Sequence, residues 1–148
     1  MSEFLFVYGT LRPELAPAEM KGVIGQLRPV APASVRGRLY DLGEYPGALV
    51  DEAAGTVIVG SVFELPEDVH ACFAALDEYE GFDPGDPEAG LFLRRQHIIT
   101  LNDGRALSCW IYVCNRAADG LQPIAGGDYL KWRAEQLNQN IQKGITDN

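Results

Sequence analysis

The sequence predicts an α+β fold, with a mixed, strongly curved and partly barrel-like sheet and a central and a C-terminal helix packed on it. Three observations lead there. Most apolar segments read as strands, rich in β-branched and aromatic residues and bounded by Gly, Pro and Asp. One helical pattern interrupts them in mid-chain and a second closes the chain. The 148 residues, 47% hydrophobic and 22% charged, suit a single domain spanning 1–148 with a core of its own.

Residues 3–8 are apolar on both alternating faces, as in a buried strand, and Gly9 ends them. Residues 15–25 admit a short helix, limited by Pro17 and two glycines. Residues 34–42 alternate up to Gly43, residues 45–50 become extended after a turn, and residues 56–65 form a strand. Pro66, followed by Glu67 and Asp68, opens the central helix. Val69, Cys72, Phe73 and Leu76 give it one apolar stripe, and Gly81 stops it. Residues 81–90, polar and rich in Pro and Gly, form a loop long enough to act as a flap. Residues 92–101 and 105–114 make a hairpin around Asp103-Gly104. Asp128 caps the last helix, whose stripe is Leu130, Ala134, Leu137 and Ile141, with a frayed tail from about 142.

Charge and cysteines narrow the function. A net charge of -9 argues against a nucleic-acid partner, which needs a basic face, and against an anionic membrane surface. Cys72, Cys109 and Cys114 lack metal-ligand spacing and read as reduced core thiols. His70 and His97 are the only histidines, and nothing in the pattern brings them together, so no metal site is expected. Glu3 stands where a signal peptide would be basic, no apolar h-region follows, and the longest apolar stretch, around 57–63, is too short for a membrane span. A cytoplasmic protein is expected.

One residue breaks the helical pattern. Glu80 lies eleven residues after Val69, which at ~100° per residue returns it to within roughly 20° of the apolar stripe. A carboxylate on that face is partly desolvated, and desolvation favours its neutral form. Asp77, Glu78 and Glu80 also crowd the negative end of the helix dipole. All three effects raise the pKa of Glu80, which suits a group that takes and returns a proton near neutral pH. Helix geometry alone leaves open that the helix ends before Glu80 and the side chain turns to water. Asp77 sits about 80° off the stripe and is read as bonding backbone or orienting a neighbour.

The second candidate is the loop after the first strand. In Tyr8-Gly9-Thr10-Leu11, Gly9 permits a sharp turn and lets a ligand approach the main chain. Successive N–H groups there can form a nest for a carboxylate or oxyanion. Arg12 stands just behind, able to grip a carboxylate. Taken alone, a glycine after a strand is usually only a turn.

Together, Phe6-Val7-Tyr8-Gly9-Thr10-Leu11-Arg12 and Leu76-Asp77-Glu78-Tyr79-Glu80-Gly81 resemble the gamma-glutamylcyclotransferase-like superfamily. Gly37-Arg38-Leu39-Tyr40, Tyr45-Pro46-Gly47, Gly60-Ser61-Val62-Phe63-Glu64 and Trp110-Ile111-Tyr112-Val113 extend the resemblance in unbroken order over residues 3 to about 115. It implies an enzyme that releases 5-oxoproline and a free amine from a gamma-glutamyl amide or peptide, without metal or other cofactor. It further implies Glu80 as acid/base and residues 8–11 as the loop that binds the glutamyl portion through its backbone. One position departs. The family often has Tyr-x-Arg after the flap, with the Tyr near the substrate; here Phe92 and Arg94 keep the spacing without the hydroxyl. Two rivals stand beside this reading. One is a non-catalytic small-molecule binding module on the same fold. The other is a hydrolase using Asp77 and Glu80 as a carboxylate pair, disfavoured because residues three apart on a helix share one site rather than flank a bond.

Overall fold

The computed structural model describes the backbone of residues 2–146 and the side chains of residues 2–141. Its strands are β1 (Phe4–Val7), β2 (Arg28–Asp41), β3 (Pro46–Val50), β4 (Val57–Glu64), β5 (Phe92–Leu101), β6 (Ala106–Cys114) and β7 (Gln122–Pro123). Its helices are α1 (Lys21–Ile24), α2 (Val69–Glu80) and α3 (Tyr129–Thr146). The sheet runs β3-β2-β4-β1-β6-β5, and a short β2–β5 ladder, Ala33 to Leu101 and Ser34 to Thr100, closes five of these strands into a ring. Only β1 and β6 pair in parallel; β1–β4, β2–β3, β2–β4 and β5–β6 are antiparallel. This is the curved, mixed, partly barrel-like sheet that the sequence predicts.

The two apolar faces of β1 now have a cause. Phe6 joins the core inside the ring with Ile58, Val62, Ile99 and Ile111. Leu5 and Val7 join a second core outside it, against Met20, Ile24, Cys72, Phe73 and Leu76 of the helical layer. A strand buried on both sides must be apolar at every position. Strand β6 alternates the same way: Cys109, Ile111 and Val113 point into the ring, and Trp110 and Tyr112 face the helices. Trp110 meets Phe73 of α2 edge-on, with ring centroids 5.5 Å apart.

Three boundaries differ from expectation. Strand β2 starts at Arg28, six residues earlier than the alternation suggests, and pairs with β4 from Arg28 opposite Glu64. Pro29 and Pro32 masked it. Both precede the point where β5 joins, so the strand is edge-like there and tolerates proline, with a register shift between Pro29 and Ala31. Helix α2 starts at Val69 rather than Pro66, because the Asp68 carboxylate accepts the Ala71 N–H at 3.2 Å and makes Asp68 the cap.

Helix α3 is capped by Asp128, whose carboxylate accepts the Lys131 N–H at 3.2 Å, and Tyr129 and Trp132 dock it on the ring core. Its expected stripe does not stay packed: Leu137 is 54% and Ile141 61% exposed, because the helix leaves the sheet after its first turns. The backbone is helical through Thr146, beyond the expected onset of fraying at about 142; residues 147–148 lie outside the described residues. Among the described residues no helix is long and apolar enough to cross a membrane.

Candidate active site

Because β1 and β6 are parallel, their C-terminal ends meet at one rim of the ring. The starts of β3 and β5 and the end of α2 arrive at the same rim. There a narrow cleft of some 20 Å3, partly open to solvent, is lined by Tyr8, Gly9, Thr10 and Leu11. Tyr45, Pro46, Glu80, Phe92 and Tyr112 line it too. The structure thus brings the N-terminal loop and Glu80 together across more than seventy residues of chain.

The loop turns as expected, with the Arg12 N–H on the Gly9 carbonyl at 3.0 Å. Yet Gly9 is not among the glycines with positive φ. What requires glycine is close approach: a Cβ there would stand 2.7 Å from Cγ of Pro46. Gly9→Ala is therefore expected to push loop and β3 apart and to cost about 1–3 kcal/mol in urea denaturation. Among the described residues, the N–H groups of Gly9, Thr10 and Leu11 donate to no protein acceptor. Three consecutive N–H groups in residues that line the cleft are thus left without a protein acceptor. The Tyr8 hydroxyl, by contrast, is committed to the framework: it donates to the Tyr112 carbonyl and accepts the Ala48 N–H.

Glu80 is the last residue of α2. Gly81 follows at φ 72°, and the Phe82 N–H returns to the Asp77 carbonyl at 2.9 Å, so a left-handed glycine cap ends the helix at the point where Glu80 faces the cleft. Burial raises the Glu80 carboxyl from its ordinary 4.5 to about 8. Of the three effects expected from the sequence, burial is the one resolved. Among the described residues no donor reaches this carboxyl, which leaves it free for a ligand. Beyond it opens an outer cavity lined by Thr10, Tyr45, Tyr79, Glu80 and Phe92, with Glu44 and Leu91 at its edge. Thr10, Tyr45, Glu80 and Phe92 belong to both chambers and form the collar between them. Tyr79 ties helix to loop by donating to the Thr10 hydroxyl at 3.1 Å.

Asp77 lies deeper than its position on the helical wheel suggests, at 5% exposure. It accepts Arg94 through Nε at 2.9 Å and Nη2 at 3.3 Å, and the Tyr112 hydroxyl at 2.6 Å. Arg94 lies over the Phe73 ring at 3.9 Å and the Trp110 ring at 4.8 Å. Asp77 thus orients a neighbour, and its carboxylate is already occupied, which removes the basis for a paired-carboxylate hydrolase. Tyr112 is the cleft residue that sequence reasoning missed. The signal was present in its alternation with Ile111 and Val113, which places it on the helix side of β6 opposite Arg94.

The remaining candidates fall elsewhere. Arg12 is not among the described residues lining either chamber; its nearest carboxylate is Glu14 at 3.8 Å, and its Nη1 is buried without a partner. Phe92 is buried in the cleft wall against Tyr45, ring centroids 5.8 Å apart. His70 is exposed at the start of α2, and His97 lies on β5 in a separate groove.

Residues 5–131 match the gamma-glutamyl cyclotransferase, AIG2-like family, and the chain belongs to it. A protein of Halalkalibacterium halodurans provisionally named a gamma-glutamylcyclotransferase is 38% identical over 100 residues, 66% of this chain and 82% of that one. Among solved structures, an AIG2-like protein of Mus musculus shares the fold at a TM-score of 0.66 and 18% identity, over 86% of this chain and 88% of the other. YkqA of Bacillus subtilis aligns at a TM-score of 0.69 and 22% identity; 93% of this chain covers only 43% of YkqA.

Proposed function

We propose that the chain, acting as one catalytic domain, releases 5-oxoproline and a free amine from a gamma-glutamyl amide or peptide, with Glu80 as acid/base. The observation that carries this reading is a carboxyl raised to about 8 by burial, without a protein partner, lining one cleft with three N–H groups that have no protein acceptor. The substrate's α-ammonium must first lose a proton. A carboxyl near 8 is close to an amine in proton affinity, so transfer costs little in either direction. The freed amine attacks the gamma carbonyl and closes a five-membered ring, an intramolecular step already favoured by proximity. The N–H groups of Gly9, Thr10 and Leu11 are the donors available to the oxyanion. As the carbon–nitrogen bond breaks, Glu80 returns its proton to the leaving nitrogen and a neutral amine departs; the ring nitrogen, which still carries one hydrogen too many, gives its second proton to the carboxylate so regenerated, which passes it to solvent.

The test is 5-oxoproline release from a panel of gamma-glutamyl amides and peptides. Release is expected, with kcat/KM rising through an inflection near pH 8 as free Glu80 becomes the base. A pH-independent rate would remove Glu80 from that role. The apolar Phe92 favours a second reading, a binding module; tight binding without release from any panel member would establish it instead.

A further inference from the structure

On the reading that the cleft takes a gamma-glutamyl substrate, we infer that the Tyr112 hydroxyl is the second acceptor for the substrate's α-ammonium, with Asp77 and Arg94 as the positioning residues that aim it. The argument is one of hydrogen-bond direction. A carboxylate ion-paired to a guanidinium offers acceptors only. The contact between Tyr112 and Asp77 at 2.6 Å therefore places the phenol hydrogen on the Asp77 side. Asp77 is itself fixed by two bonds from Arg94, and Arg94 by its stacking on Phe73. With its one hydrogen spent, the Tyr112 oxygen has only lone pairs left, and Tyr112 lines the cleft with Glu80.

An acceptor without a free hydrogen, next to a carboxyl, suits a group with several N–H donors and a positive charge. It does not suit an oxyanion. Of the other tyrosine hydroxyls at this rim, that of Tyr8 is already saturated by the Tyr112 carbonyl and the Ala48 N–H, that of Tyr79 is tied to Thr10, and that of Tyr45, with no partner among the described residues, keeps a hydrogen to donate. The two acceptors then divide the work. Glu80 takes one proton from the ammonium, while Tyr112, a neutral phenol, holds a second N–H without removing it. The nitrogen is left with one lone pair directed at the carbonyl carbon. Phe92 lacks a hydroxyl, and Tyr112, which lines the same cleft from the adjacent strand, carries one.

The test separates this contact from turnover. Calorimetry on Glu80→Gln, which does not consume its ligand, compares glutamic acid γ-ethylamide with N-ethylglutaramate, which lacks only the α-amine. Adding Tyr112→Phe is expected to weaken the amine-bearing ligand about 10- to 100-fold and to leave the des-amino ligand within about twofold. In the otherwise native enzyme the same change should raise KM more than it lowers kcat. Equal losses for both ligands, or no loss for either, would overturn the contact even if the native protein releases 5-oxoproline. A loss confined to the amine-bearing ligand, in a protein that releases nothing, would keep the contact and sink the proposed reaction. Failure to bind either ligand would overturn both.

Discussion

Glu80→Gln is expected to lower 5-oxoproline release by about 10³-fold or more while stabilising the fold. The variant keeps the shape of the side chain and removes the proton acceptor, and general acid–base catalysis typically contributes ~10²–10⁴-fold. Here one carboxyl both deprotonates the ammonium and protonates the leaving nitrogen, so the upper part of that range applies. The stability effect has a definite sign. The folded protein holds this carboxyl at about 8, against 4.5 when it is free of burial. Below pH 4.5 both states bind the proton and the group is silent. As pH rises from there towards 8, the unfolded chain has lost its proton and the folded one keeps it, so the native protein loses stability that glutamine does not lose. The advantage of the variant should grow from pH 5 to 8 and level off above. It should reach about 1–3 kcal/mol, discounted from the full shift because the carboxyl borders an open cleft. Thermal or urea unfolding of both proteins over that pH range measures it. A variant with native turnover, or one less stable at pH 8, would contradict the assignment.

Asp77→Ala is expected to destabilise the fold strongly. It leaves Arg94, whose side chain is 16% exposed, without its partner, and the Tyr112 hydroxyl without an acceptor. Breaking a buried ion pair from one side costs about 3–5 kcal/mol, a large share of the ~5–15 kcal/mol that holds a domain of this size. Replacing both partners by apolar residues of similar volume, Asp77→Leu with Arg94→Met, should recover most of the loss, because no charge is then stranded. Chemical denaturation with unchanged m-values is the readout. If the double variant were as unstable as the single one, the cost would lie in packing rather than in the stranded guanidinium.

The sequence disclosed elements better than it disclosed their joins. Periodicity found β1, β4, the β5–β6 hairpin and the helices, because each buries a face whose spacing is visible locally. It placed Glu80 correctly for the same reason, since an angle around a helix is a local property. It misjudged the depth of Asp77, because what draws that carboxylate inward, Arg94 and Tyr112, comes from strands 17 and 35 residues further along. Arg12 was read from adjacency to the loop, whereas the turn from Gly9 to Arg12 leaves its side chain outside both chambers. The stripe on α3 predicted packing that the sheet does not extend far enough to provide.

The parallel pairing of β1 with β6 has a consequence for how the protein comes to be made. Strand β1 has its partners about sixty and a hundred residues downstream, at β4 and β6. It must wait, apolar on both faces, until β6 has been synthesised, which is a demanding topology for rapid folding. The cleft inherits that delay, since its walls come from residues 8–11, 45–46, 80, 92 and 112. No fragment ending before β6 can present it, so a ligand held there would report the joining of β1 to β6 rather than the state of any one segment.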